Sequence, residues 1–194
     1  MRKNSFYILL IAIVFMLFAY GPGPSSAGAP ASHTGAPGEA TCAEAGCHDD
    51  NTINKGTASL SLQFEDSVKK ILPGKTYSMI VRITDKNVTR FGFQLLALDS
   101  KTELNAGNYI ITDSIRTKIT DNRYKLQDRK YVTYTFNGTD AIEKGLGEWK
   151  VKWKAPENLN NKITFYLSGV SANDDMSDKG DLVYTKSYTL PIGK

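Results

Sequence analysis

Histidine and cysteine are nearly missing from this sequence, with two of each in 194 residues, and the scarcity removes whole classes of chemistry. Two histidines leave little scope for a hydrolytic triad, and no serine lies in a GxSxG elbow. Two sulfurs and one adjacent imidazole leave a structural tetrahedral zinc site a ligand short, with Asp49 or Asp50 as the neighbouring fourth. No pair of carboxylates is marked as a glycosidase dyad. An excess of one charge is also lacking: beyond residue 27 the chain carries 22 basic against 20 acidic residues. That balance argues against nucleic acid as a partner. Convincing helical periodicity, internal repeats and coiled-coil heptads are absent too. The sum points away from an enzyme.

One long hydrophobic run exists, from Phe6 to Tyr20, preceded by Arg2 and Lys3 and followed by Gly21, Pro22, Gly23 and Pro24 and the small residues Ser25, Ser26 and Ala27. This is the layout of a secretory signal peptide over residues 1–27. At fifteen residues the run is short of the ~20 that span hydrocarbon, so a membrane enters only through an uncleaved N-terminal segment. The expected location is exported: periplasmic, cell-surface or extracellular. That compartment is oxidising.

Two textures follow. Residues 28–56 are rich in Gly, Ala, Pro and Thr, lack period and hold almost nothing large and apolar except Ile53. Such a segment cannot build its own core; if ordered, something other than side-chain burial must order it, and a cofactor packed against the following domain would do so. Residues 57–194 instead alternate apolar and polar positions between turns. Trp149, Val151 and Trp153 face one way and Lys150, Lys152 and Lys154 the other, the pattern of a strand with one buried and one wet face. Eight such runs are expected as strands: Leu60–Phe64, Tyr77–Ile83, Phe91–Ala97, Tyr109–Ile119, Lys130–Phe136, Trp149–Trp153, Ile163–Val170 and Leu182–Leu190. The fold class is all-β, an antiparallel β-sandwich behind an irregular leader.

The scarce residues are grouped. Cys42, Cys47 and His48 stand together in TCAEAGCHDD. Two cysteines with a histidine directly after the second read as a covalent haem c attachment site, the sulfurs forming thioethers and His48 ligating iron. Ala43, Glu44, Ala45 and Gly46 separate the cysteines, where two residues are usual. The alternative is a Cys42–Cys47 disulfide in a secreted adhesion or ligand-binding sandwich, closing a loop so short that it adds only about 2 kcal/mol. For the second axial position the sequence offers His33, in the leader, Met176, in the polar loop SANDDMSDKGD, or an open position that would suit a sensor or ligand-binding haem; His33 is preferred over Met176. Met79 alternates with core residues and reads as buried. Asp174, Asp175, Asp178 and Asp181 of that loop could be read as a calcium site, although the EF-hand spacing is absent.

Thr34–Glu39 (TGAPGE), Cys42–His48, Phe91-Gly92-Phe93, Trp149–Pro156 (WKVKWKAP), Ile163–Tyr166, Ala172-Asn173 and Gly180–Tyr184 (GDLVY) together resemble a bacterial exported family. In that family an N-terminal haem c motif precedes a Reeler-like (reelin-domain-like) β-sandwich. The resemblance implies an exported c-type haem protein: a monohaem electron-transfer or haem-bearing module of the bacterial envelope, serving redox partner proteins, with no enzymatic activity. The four-residue spacer departs from the family pattern. So does Tyr134, where relatives carry a histidine.

Overall fold

A computed structural model describes residues 27–44 and 46–193. The signal peptide expected over residues 1–27 lies, apart from Ala27, outside the described residues. Nine strands form among them: β1 (Ser59–Phe64), β2 (Thr76–Thr84), β3 (Arg90–Asp99), β4 (Asn108–Ile110), β5 (Thr117–Asp121), β6 (Lys130–Tyr134), β7 (Leu146–Lys154), β8 (Ile163–Ala172) and β9 (Leu182–Leu190). They pair antiparallel in two sheets, β1-β2-β7-β4 and β5-β6-β3-β8-β9. The expected antiparallel sandwich is what forms. The run Tyr109–Ile119 differs from its expectation. It contributes β4 to one sheet and β5 to the other, because a turn held by Asp113 reverses the chain; its carboxylate accepts from the Ile115 and Arg116 amides.

Alternation explains the core. Met79, Val81 and Ile83 of β2 and Trp149, Val151 and Trp153 of β7 meet Phe93, Leu95, Phe165 and Leu167 of the facing sheet. Phe93 stacks at a tilt on Trp149, with ring centroids 4.6 Å apart, and Trp153 meets Phe165 edge-on at 4.9 Å. Each indole N–H is satisfied inside: Trp149 donates to the Gly138 carbonyl and Trp153 to that of Ala106.

The outer face of the five-stranded sheet is also covered. Gln94 of β3 lies in register between Thr133 of β6 and Ser168 of β8, and all three polar side chains are buried. The leader covers them. The Ala29 amide donates to Thr133 Oγ1, the His33 amide to Gln94 Oε1, Gln94 Nε2 to the Pro30 carbonyl, and Ser168 to the Cys42 sulfur. Farther along, Glu39 and Arg129 form an ion pair at 2.7 Å with side chains 0% and 4% exposed, and Tyr131 donates to the same carboxylate oxygen. Polar anchors of this kind, with the small buried residues Ala29, Ala36 and Cys42, place the leader. They also explain why β3 is buried at eight consecutive positions rather than alternately.

Candidate functional site

The leader's docking brings Cys42 to the outer face of β8. Its side chain packs against Val170 and Val183, and burial pushes the thiol from 9.0 up to about 11. Cys47 is half-buried, its thiol also raised, by burial and then by the carboxylates of Glu44, Asp49 and Asp178. Both cysteines are free thiols. Their loop is closed on itself: the Cys47 amide donates to the Glu44 carbonyl and the His48 amide to the Cys42 carbonyl. Ala45 of the spacer lies outside the described residues.

His48 follows directly and is gripped from the far end of the chain. Its Nδ1 lies 2.6 Å from Asp181 Oδ2, with side chains 14% and 2% exposed. A carboxylate can only accept, so the proton sits on Nδ1 and Nε2 is the nitrogen left to ligate. The other Asp181 oxygen accepts from the Asn173 amide. Three more contacts strap the segment after His48 to the loop before β9: Gly180 donates to Asp50, Asn51 to the Asp181 carbonyl, and Lys179 pairs with Asp49.

His48 and Asp181 line a cavity of about 450 Å³, within the range of cofactor and small-molecule sites. Gly92 of β3 and Val170 and Ala172 of β8 contribute to it, with Phe91, Tyr134, Phe136 and Arg90. Gly92 is required: a Cβ there would stand 2.6 Å from Tyr134 Cε1. The Tyr134 hydroxyl is held well above its usual pKa by burial, with both nearby cysteines adding to the shift. Arg90 ties the rim together through Asp140, Asp174 and Thr139.

Of the residues singled out in the sequence, His48 lines this cavity, whereas Cys42, packed on Val170, and Cys47 are not among its lining residues. His33 is not among its lining residues. Its Nε2 lies 3.1 Å from Glu44 Oε2 and its Nδ1 faces the Pro30 and Ala31 carbonyls, so both ring nitrogens are engaged. Met176 does line the cavity. Met79 is buried in the main core. The four aspartates of the 173–181 loop do not converge: Asp174 meets Arg90, Asp175 meets Ser177, Asp178 meets Lys179 and Asp181 meets His48. Among the described residues no cluster of three or more His, Cys, Asp or Glu is arranged to hold a metal ion, and no helix is long and apolar enough to cross a membrane. Gly92 and Arg90 have no role assigned from sequence, and Asp181 only that of a calcium candidate. Asp181 and Gly92 do fall inside the GDLVY and FGF pieces of the resemblance, which meet in space at the cavity.

No protein-family model and no curated protein sequence matches the chain. Solved structures do. The human F-spondin reeler domain (fragment 1) is similar at 20% identity and a TM-score of 0.53, over 74% of this chain and 94% of that one. The Reelin-N domain of F-spondin is similar at 20% identity and a TM-score of 0.52, over 76% and 95%. The sandwich is therefore Reeler-like in fold, as the sequence pieces imply.

Proposed function

We propose that this protein is an exported c-type haem module of the bacterial envelope, in which a Reeler-like sandwich carries one haem for electron transfer with redox partner proteins rather than for catalysis. The observation that carries the reading is the His48–Asp181 pair beside the two thiols. A ligating histidine whose Nδ1–H is held by a buried carboxylate has its ring direction fixed and its Nε2 made more basic. Haem iron brings its own four equatorial nitrogens, so a protein supplies only axial ligands and covalent anchors, and a multidentate metal cluster is not required of the chain.

His48 and the apolar walls suit that group, while neither cysteine is among the residues that line the cavity. Cys42 and Cys47 would hold it by thioethers and His48 Nε2 would ligate its iron, which supplies a one-electron couple. Phe91, Tyr134, Phe136 and Val170 give the cavity apolar and aromatic walls; walls of this kind limit solvent access and so tune the potential. Export rests on the Phe6–Tyr20 run and the oxidising chemistry that suits this motif.

The test is spectroscopic. Mature protein from cells equipped for haem c maturation is expected to show a Soret band and a reversible one-electron titration, and the double variant Cys42→Ser/Cys47→Ser is expected to lose covalent haem. A colourless preparation with Cys42 joined to Cys47 would put the adhesion or ligand-binding reading in its place.

A further inference from the structure

The sequence offers one route to a membrane, the N-terminal run; the loops of the fold add another. We propose that the end of the sandwich carrying Ile115, Phe136, Ile142 and Met176 rests on a lipid bilayer and sinks these side chains among its headgroups. The proposal does not depend on the haem reading. The four side chains are between 49% and 101% exposed, and they stand on three loops: between β4 and β5, between β6 and β7, and between β8 and β9. These loops are joined to one another. The Ile115 carbonyl accepts from Thr135 Oγ1, next to Phe136. Arg116 donates to the Asn137, Gly138 and Asp140 carbonyls, which brings the stretch holding Ile142 alongside. Phe136 and Met176 line the same cavity. Four apolar side chains are thus held out by a braced group of loops.

Grouped exposed apolar residues mark contacts with proteins or with membranes, and the course of the chain selects the membrane. Gly28 packs against the Tyr134 carbonyl and the Lys118 side chain, so the polypeptide enters the domain beside Phe136 and Ile115. Only Gly21–Ser26 separate Ala27 from the apolar run that ends at Tyr20, a link that spans no more than about 20 Å. While that run lies in the membrane, during export or as a retained anchor, this end of the sandwich is the one held against lipid. Charges of both signs surround the apolar tips: Arg90, Lys118 and Lys144 against Asp140, Glu143 and Asp174. Such a mixture gives anionic lipid no special hold, so the driving force is the apolar area that shallow insertion removes from water.

The experiment uses the mature protein, which lacks the N-terminal run, so that vesicle binding reports the loops alone. Phosphatidylcholine vesicles made with and without phosphatidylglycerol serve as probes. Cosedimentation is expected with both and should withstand added salt. The double variant Ile115→Ser/Ile142→Ser should lower partitioning by about tenfold or more, each single variant should lower it in part, and Phe136→Ser should lower it too. Leu104→Ser changes an exposed apolar residue at the far end of β3, where the Leu104 carbonyl meets the Asp99 amide, and should match wild type. Thermal melts confirm that each variant is folded. Absence of binding, binding that salt or omission of phosphatidylglycerol abolishes, or equal partitioning of every variant overturns the proposal. So does a dimer in sedimentation velocity that the double variant dissolves, because a second copy would then cover this end.

Discussion

His48 Nδ1 and Asp181 Oδ2 lie 2.6 Å apart although 133 residues separate them, and Asp181 is 1% exposed. Burying a carboxylate this deeply is costly unless it is fully hydrogen-bonded. Both Asp181 oxygens are: one takes the imidazole, the other the Asn173 amide. The pair therefore fixes the ring and ties the leader to the loop before β9.

Asp181→Ala removes the acceptor of two part-buried donors, the His48 imidazole and the Asn173 amide, and leaving them unpaired costs at most about 1–3 kcal/mol in all. Urea unfolding of the haem-free protein should show a loss in that range. The haem-loaded variant should in addition have a lower absorbance yield and a shifted potential. A variant as stable as wild type and spectrally identical would remove Asp181 from the account.

Glu39→Ala breaks the buried pair with Arg129 and strips Tyr131 of its acceptor. Removing one partner of a buried pair costs about 3–5 kcal/mol, and the leader is what the pair anchors. Denaturant unfolding should show the loss, and amide exchange should speed up across residues 29–42 before it does in β2 or β7. Uniform exchange across both regions would mean that the leader is not separately anchored.

Much of this was legible in the residues and some could not have been. Trp149, Val151 and Trp153 announce β7 because a strand with one wet face must alternate, and Cys42, Cys47 and His48 lie close enough in the chain to be seen as a group. The Thr133–Gln94–Ser168 row was hidden because its members sit on three strands far apart in sequence. Gln94 is surrounded by apolar neighbours in RFGFQLLALD, which masks a polar anchor inside what reads as a hydrophobic run. The docking of the leader that carries His33 was hidden for the same reason, since hydrogen bonds to that row hold it down. Asp181 reads from sequence only as one of four acids in a candidate calcium loop, since no local spacing ties it to His48.

Gly92→Ala places a methyl group where the Tyr134 ring lies. Overpacking of this kind costs about 1–3 kcal/mol, and the displaced ring intrudes on the cavity. Thermal melts should show a modest destabilisation together with a disproportionate fall in haem loading per folded molecule. Unchanged loading would separate the cavity from haem binding.

In the haem-free thiol form, stability should depend on Cys42 at alkaline pH. Its folded value of about 11 stands above the ordinary 9.0, so between those values the folded state retains a proton that the unfolded chain has lost. Stability from this group is full below about pH 9 and falls as pH rises through 11, by about 2–3 kcal/mol. Buried tyrosines shift in the same direction, so the comparison is with Cys42→Ala, whose decline over that window should be shallower. Equal slopes would show that the Cys42 thiol is not protected by the fold.

The most direct measurement is the denatured mass of the mature protein purified from cells able to attach haem c. The account predicts an increase of one haem that survives unfolding and reduction and disappears in the double variant Cys42→Ser/Cys47→Ser. A polypeptide mass lighter only by the two hydrogens of a Cys42–Cys47 disulfide would contradict it.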